Sequence, residues 1–399
     1  MILVINAGSS SIKFALYDVQ ANLALLYSGQ FSAIGSKSVF SLFNRDNVRI
    51  VNKAKEVSHH YEALLFVLSE ITALTKDKKI PAVGHRVVLG RHFNIQPVIV
   101  NDTVIANLES LSPLAELPQP HNIEAMKIIG QRWPELPQVA CFDTAFHHTM
   151  PEVEQQIALD KSLLSDEIKR YGFHGLSYQY IANILPDYLG EIAAEGRIIV
   201  AHLGAGASLC AIKKRQSVAT TMSFTPLDGL PMATRCGSLD PGVLLYLLEQ
   251  KNITVEQLSK SMNHHSGLKA LSGFSGDMQL LLASDTHDAQ SAIDYFVYQT
   301  CRHIGAMVST LNGLDALVFT GGIGEHAVEI RKLICQKLKW LGLELNEQKN
   351  QQGSAKINNH DSSVEIWVIE TDEEQLIASE TNRCVFYESE KKFDEPSTR

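Results

Sequence analysis

The sequence has no C-x-x-C pair among its six cysteines, Cys141, Cys210, Cys236, Cys301, Cys335 and Cys384. That scatter excludes the usual zinc spacing and a disulfide framework, and it suits a reducing cytoplasm. Basic charge is not in excess: 35 lysines and arginines face 44 aspartates and glutamates, a formal net charge of −9. A field of that sign repels polyanions at long range, so neither nucleic acid nor an acidic membrane is an expected partner. Long hydrophobic runs are absent too. None exceeds six residues: Val243 to Leu248 is far below membrane-spanning length, and Met1 to Ile5 is too short for a signal core and has no basic flank. There is no low-complexity tract. Neither the P-loop G-x-x-x-x-G-K-[ST] nor a full G-x-G-x-x-G occurs, so a bound nucleotide needs another kind of phosphate cradle.

What is present is a globular chain. Its 399 residues are 45% hydrophobic and 20% charged, enough for a large core and long enough for two lobes. Ile2-Leu3-Val4-Ile5 reads as a buried strand, Asn6 to Ser11 as a tight turn and Ile12 to Val19 as a second strand. The pattern returns about half a chain later, with Arg197 to His202, then Gly204-Ala205-Gly206-Ala207-Ser208, then Leu209 to Ile212, which predicts a duplicated domain. Between the hairpins, Leu64, Leu65, Leu68, Ile71 and Leu74 share one face of a helix over Tyr61 to Leu74. A second helix, Gln290 to Leu311, leads into a strand at Ala316 to Thr320 and then a glycine turn, the order of an α/β lobe. Pro113 to Pro120 is a turn-forming stretch, and Glu388 to Arg399 is a charge-dense end.

Three glycine-rich segments carry the chemistry. Asn6-Ala7-Gly8-Ser9-Ser10-Ser11-Ile12-Lys13 offers small residues whose backbone N–H groups can approach a phosphate, with hydroxyl donors and a lysine beside them. Taken alone it also fits an ordinary hairpin turn. His202-Leu203-Gly204-Ala205-Gly206-Ala207-Ser208 is similar in kind, and two such turns point to a phosphate cleft. Thr320-Gly321-Gly322-Ile323-Gly324-Glu325 follows a strand directly, where open α/β sheets place nucleotides.

These segments, together with Gly84-His85-Arg86-Val87-Val88, Phe142-Asp143-Thr144-Ala145-Phe146-His147, Tyr171-Gly172-Phe173-His174-Gly175, Phe224-Thr225-Pro226-Leu227-Asp228-Gly229-Leu230 and Thr234-Arg235-Cys236-Gly237, resemble the acetokinase family of short-chain carboxylate kinases. The order matches from Asn6 to Glu374. The resemblance implies an α/β, two-lobed actin-like ATPase (ribonuclease H-like) fold, a duplicated domain with a central nucleotide cleft. One lobe would comprise residues 1–145 plus 375–399, the other 146–374. The implied reaction is reversible, Mg2+-dependent in-line transfer between ATP and acetate, giving ADP and acetyl phosphate, with Mn2+ as an alternative ion.

Roles follow from the same resemblance. Arg86 and Arg235 would hold the carboxylate and the transferring phosphoryl group, for which a planar guanidinium is suited. His174 would donate to the equatorial oxygens, where transition-state charge collects. Asp143 matches the family's proposed acid/base residue, yet a carboxylic acid with a pKa near 4.3 is already ionised at neutral pH, so orienting an arginine or a metal-bound water is the preferred role. Asn6 and Glu373 match the magnesium-associated positions, with Glu374 as the neighbouring alternative. Lys13 would meet nucleotide phosphates. The nucleotide would lie along Ala201, His202, Leu203, Gly204 and Ala205, along Gly276, Asp277 and Met278, and along Gly321, Gly322, Ile323, Gly324 and Glu325. Val88, Phe173 and Pro226 would form the pocket for the acyl methyl.

The chain also departs from the family pattern. Leu89-Gly90-Arg91 replaces His-Gly-Gly, Pro120 replaces a leucine of the acyl pocket, and Ala205 removes an asparagine donor. Gln279 and His326 replace residues near the adenine, which leaves ATP against GTP open. None of these touches Arg86, Asp143, His174, Arg235 or Glu373, so an active but retuned enzyme is expected. Propionate kinase is the near alternative, since one methylene is worth only about 1–3 kcal/mol. A non-catalytic nucleotide-switched scaffold is the remote one, because the fold also serves chaperones and filaments. The resemblance further implies a homodimer.

Overall fold

The computed structural model describes residues 1–8, 10–75, 79–90, 95–112 and 119–387. Ser9, Arg91, the segment 113–118 and the charged end from Glu388 lie outside the described residues. The chain divides into two compact units, Met1–Ala145 with the chain from Asp372, and Phe146–Thr371. The second boundary, expected between 374 and 375, falls between Thr371 and Asp372, because Asp372 caps the helix Glu373–Asn382 by accepting from the Gln375 N–H at 2.7 Å.

The first unit is built on an eight-stranded sheet in the order β5-β4-β3-β2-β1-β6-β8-β7. Its strands are β1 (Ile2–Ala7), β2 (Ile12–Asp18), β3 (Ala24–Ser32), β4 (Val39–Asn44), β5 (Arg49–Ala54), β6 (Ala82–Val87), β7 (Val98–Ile99) and β8 (Gln138–Phe142). β1 to β5 form an antiparallel meander, while β6 runs parallel to β1 and β8 parallel to β6. All six residues of β1 are buried, as its unbroken apolar run requires of a central strand. The helix expected over Tyr61 to Leu74 spans His60–Thr75, and it turns Ala63, Leu64, Val67, Leu68 and Ile71 into the core beneath Phe14, Phe31 and Phe40.

The second unit holds a five-stranded sheet in the order β11-β10-β9-β12-β13, with β9 (Arg197–Leu203), β10 (Ala207–Lys213), β11 (Gln216–Thr220), β12 (Ala316–Thr320) and β13 (Glu365–Val368). β9 to β11 are antiparallel, and β12 and β13 continue parallel to β9. The series β3-β2-β1-β6-β8 therefore has the same arrangement as β11-β10-β9-β12-β13. This is the structural form of the repeat suspected from the two hairpins.

One local expectation changes. The third glycine cluster is not a turn but a short helix, Gly321–His326, entered through Gly321 at φ +74°. Glu325 reaches back to its start, its Oε1 accepting from the Gly321 N–H at 2.7 Å and from Thr320 Oγ1 at 3.2 Å. The apolar run Val243 to Leu248 lies on the helix Pro241–Gln250, none of whose residues is buried.

Candidate active site

In the first unit the sheet's central strands deliver polar groups to one place. Asn6 comes from β1, Lys13 is its register partner on β2, Arg86 ends β6 and Asp143 follows β8. Asp143 is 1% exposed, and both its oxygens are engaged by Arg86: Nη2 donates to Oδ2 at 2.7 Å, and Nε lies 3.2 Å from each oxygen. Arg86 Nη1 donates to Asn6 Oδ1 at 3.4 Å, and Nε stands 3.8 Å from Glu373 Oε2. Burial alone would lower the Arg86 pKa, but Asp143 and Glu373 reverse that and raise it, so the guanidinium stays charged. Glu373, in the first turn of its helix, is pushed up to about 7 by burial, and Asp143 and Glu374 add to that push while Arg86 and Lys13 oppose it.

A second set of contacts ties this cluster to its surroundings. Asn122 and Gln119, both buried on the helix Gln119–Arg132, bind the backbone around it. Asn122 Nδ2 donates to Ala7 O at 2.7 Å while its Oδ1 accepts from the Val88 N–H at 3.2 Å, and Gln119 brackets Leu89 through N–H and carbonyl. One amide thus ties the end of β1, where the turn expected to meet phosphate begins, to the residue expected to line the acyl pocket. Val88 itself is buried, whereas Pro120 is exposed at the second position of the helix, where a missing N–H costs nothing.

The second unit gathers its own set. Gly204 closes the β9–β10 turn by donating to Gly206 O at 3.0 Å, and Ala205 O accepts from the Ala233 N–H at 3.1 Å. A Cβ placed on Gly204 would lie 3.8 Å from Gly322 N, one on Gly321 would lie 2.9 Å from Leu203 O, and one on Gly276 would meet Ala233 O at 2.2 Å. Ala201, His202 and Leu203 on β9, the turn at Gly204 and Ala205, Gly276 and the Gly321–Gly322 start therefore share one end of the sheet. Asp277 caps the helix beginning at Met278 by accepting from the Gln279 N–H at 2.9 Å. Gln279 and His326 are both exposed.

His174 and Arg235 meet at Gly206. A Cβ there would stand 2.8 Å from Arg235 Nη2 and 3.1 Å from His174 Nε2, so only glycine lets the imidazole and the guanidinium come this close to the turn. Arg235 Nη1 donates to Pro226 O at 2.8 Å. His174, at φ +58°, caps the helix Gly175–Leu189 and stacks on His202 with ring centroids 4.3 Å apart. Its Nδ1 lies 2.9 Å from Ser208 Oγ. Phe173 is buried, its carbonyl accepting from His147 Nε2 at 3.0 Å.

Asn6, Lys13, Arg86, Val88, Asp143 and Glu373 thus belong to one unit, and His174, Arg235, Phe173, Pro226 and the three nucleotide segments to the other. Asn122, Gln119, Ser208 and Tyr178 were not singled out from the sequence. An amide or hydroxyl inside a regular element gives no signal there, and Tyr178 reads as a core aromatic.

Duplicated sheets of this order, each with a glycine turn after its first strand, define an actin-like ATPase fold. Within that class the chain belongs to the Acetokinase family, whose model matches residues 1–379. It is 47% identical over 384 residues to an acetate kinase of Rhodopseudomonas palustris, covering 95% of this chain and 96% of the relative. A crystal structure of a propionate kinase from Francisella tularensis superposes with a TM-score of 0.90 at 36% identity, covering 96% of this chain and 99% of that one. The Porphyromonas gingivalis acetate kinase gives 0.85 at 33% identity, with the same coverage.

Proposed function

We propose that this carboxylate phosphotransferase moves the γ-phosphoryl group of ATP to acetate, reversibly and directly, giving ADP and acetyl phosphate. The observation that supports this reading most directly is the convergence of His174 Nε2 and Arg235 Nη2 on Gly206. Charge on a transferring phosphoryl group spreads over its equatorial oxygens, and donors fixed in advance around that position lower the barrier. Arg86 would take the acetate carboxylate. With both Asp143 oxygens engaged by Arg86, we assign Asp143 to orienting that guanidinium. No base is required, because acetate carries its charge already. Val88, Phe173 and Pro226 are assigned to the methyl group, and the segments Ala201–Ala205, Gly276–Met278 and Gly321–Glu325 with Lys13 to the nucleotide.

The donor set suits Mg2+, with Mn2+ as the alternative. Glu373 is a largely buried carboxyl, 14% exposed, crowded by two other acids, the setting in which a cation favours the ionised form. Asn6 Oδ1 supplies a second hard oxygen, and a Mg2+ that retains water needs no more. When bound, the ion would neutralise charge on the nucleotide phosphates.

Hydroxamate trapping of the product formed from ATP, Mg2+ and a series of acids tests the reading. Acetyl hydroxamate at the highest kcat/KM is expected. A propionate optimum would move the assignment to the near alternative, and no acyl phosphate from any short-chain acid would leave the scaffold reading.

We also place the enzyme in the cytoplasm as a homodimer. Among the described residues no helix is long and apolar enough to cross a membrane. On the helix Pro241–Gln250, Val243, Leu245 and Tyr246 are 41%, 58% and 53% exposed, and Leu239 just before it is 44% exposed. A second copy covering that face would remove it from water. Light scattering should give a dimer that Leu245→Glu with Tyr246→Glu converts to monomer; a dimer unaffected by the pair refutes this surface.

A further inference from the structure

His174 is backed by a chain of buried hydroxyls. Tyr178, on the same helix, is 0% exposed, and its hydroxyl lies 2.5 Å from Ser208 Oγ. Ser208, on β10, is also 0% exposed, and the same Oγ lies 2.9 Å from His174 Nδ1. Burial pushes the Tyr178 hydroxyl well above its usual range, and Cys210 adds to that, so the phenol keeps its proton.

Counting protons decides the direction of the chain. With Tyr178 donating to Ser208 and Ser208 donating to Nδ1, the ring proton sits on Nε2 and both hydroxyl protons have acceptors. In the reverse order, Nδ1–H donates to Ser208, Ser208 donates to Tyr178, and the tyrosine proton has no acceptor among the described residues. An unmet donor in a buried site is the costly outcome. An imidazolium must also donate from Nδ1 and meets the same obstacle. Two basic side chains stand beside the ring: Arg235, whose Nη2 approaches Gly206 as His174 Nε2 does, and His202, stacked on the ring with its own Nδ1 2.8 Å from Ser177 Oγ.

We propose that Tyr178 and Ser208 are positioning residues that hold His174 as the neutral imidazole with its proton on Nε2, the nitrogen on the side of Gly206. This rests on the reading that His174 donates to the transferring phosphoryl group. In the other tautomer Nε2 would present a lone pair to anionic oxygens and repel them.

The test is 15N NMR of histidine-labelled protein at neutral pH, with the His174 signals identified by their loss in His174→Gln. Wild-type protein should show the Nε2–H pattern. Tyr178→Phe keeps the ring packing but leaves Ser208 without its donor, so it should shift signal toward Nδ1–H. It should also lower kcat on the order of five- to tenfold while the KM values for ATP and the acid stay within about twofold. An Nδ1–H or charged His174 in the wild type overturns the proposal, as does a variant with wild-type signals and kcat. The wild-type spectrum decides the matter even if the variant fails to fold. It is also independent of turnover: correct tautomer with no acyl phosphate formed would remove the proposed function, and active enzyme with the wrong tautomer would remove the relay.

Discussion

At the scale of single residues, the position with most at stake carries no side chain. Gly206 sits where a methyl group would come 2.8 Å from Arg235 Nη2 and 3.1 Å from His174 Nε2. Because the nearest atom ends a flexible side chain, Gly206→Ala should fold normally and displace the guanidinium. We expect kcat to fall about 10²-fold, the usual effect of losing one transition-state donor, with the melting temperature almost unchanged. Steady-state kinetics beside a thermal melt would check this; activity near wild type would place the phosphoryl group away from Gly206. Gly206 was visible in the sequence only as one of several small residues in a turn. Arg86, Asp143, His174 and Arg235 stood out because each lies in a distinctive block. Ser208 and Tyr178 did not, since what matters is which hydroxyl each one faces, and that depends on β10 lying beside the helix Gly175–Leu189.

At the scale of elements, β6 packs closely on the helix Glu373–Asn382. A Cβ on Gly84 would meet Thr381 Oγ1 at 2.3 Å and Ile377 Cγ2 at 2.6 Å. A glycine inside a strand often marks such an approach. Gly84→Val should destabilise the first unit by about 1–3 kcal/mol through overpacking. By pushing the helix whose first turn holds Glu373, it should also raise the Mg2+ concentration needed for half-maximal rate. Thermal unfolding and a Mg2+ titration read the two effects, and a stable variant with wild-type Mg2+ dependence would contradict both. Periodicity revealed the hairpins and the long helices because each buries a regular face. It did not reveal the helix Gly321–His326, where three glycines argue for a turn and the Glu325 carboxylate supplies the missing order. Nor did it show that Val243 to Leu248 would stay exposed, because an apolar run looks the same whether its own chain or another copy covers it.

At the scale of the molecule, each unit contains a fully buried neutral histidine. Burial pushes His85 and His147 down to about 4. In the unfolded chain such a histidine takes its proton near pH 6.5, so between pH 6.5 and 4 the unfolded state binds more protons and stability falls as pH falls. The loss approaches about 1.4 kcal/mol per pH unit for each histidine. In the first unit Glu373, pushed up to about 7, opposes this when no cation is bound, so the second unit should show the effect more clearly. In a Trp133→Phe background, Trp340 and Trp367 report on that unit by fluorescence, and its urea midpoint should be lower at pH 5 than at pH 7.5. Equal midpoints would refute the assignment. The repeat itself was legible from two hairpins half a chain apart, since both sheets begin with the same strand–glycine turn–strand series. The meander β3 to β5 was not, because Arg49–Ala54 is mostly exposed and has no apolar face to announce it.

The helix Glu373–Asn382 packs on β1, β2, β6 and β8, so the first unit takes its last major element from the far end of the chain. A ribosome therefore releases everything needed for Phe146–Thr371 before it releases what closes the first unit. During synthesis the later unit can finish first, while the earlier one waits, and Glu373 reaches Arg86 only after Phe146–Thr371 has been made.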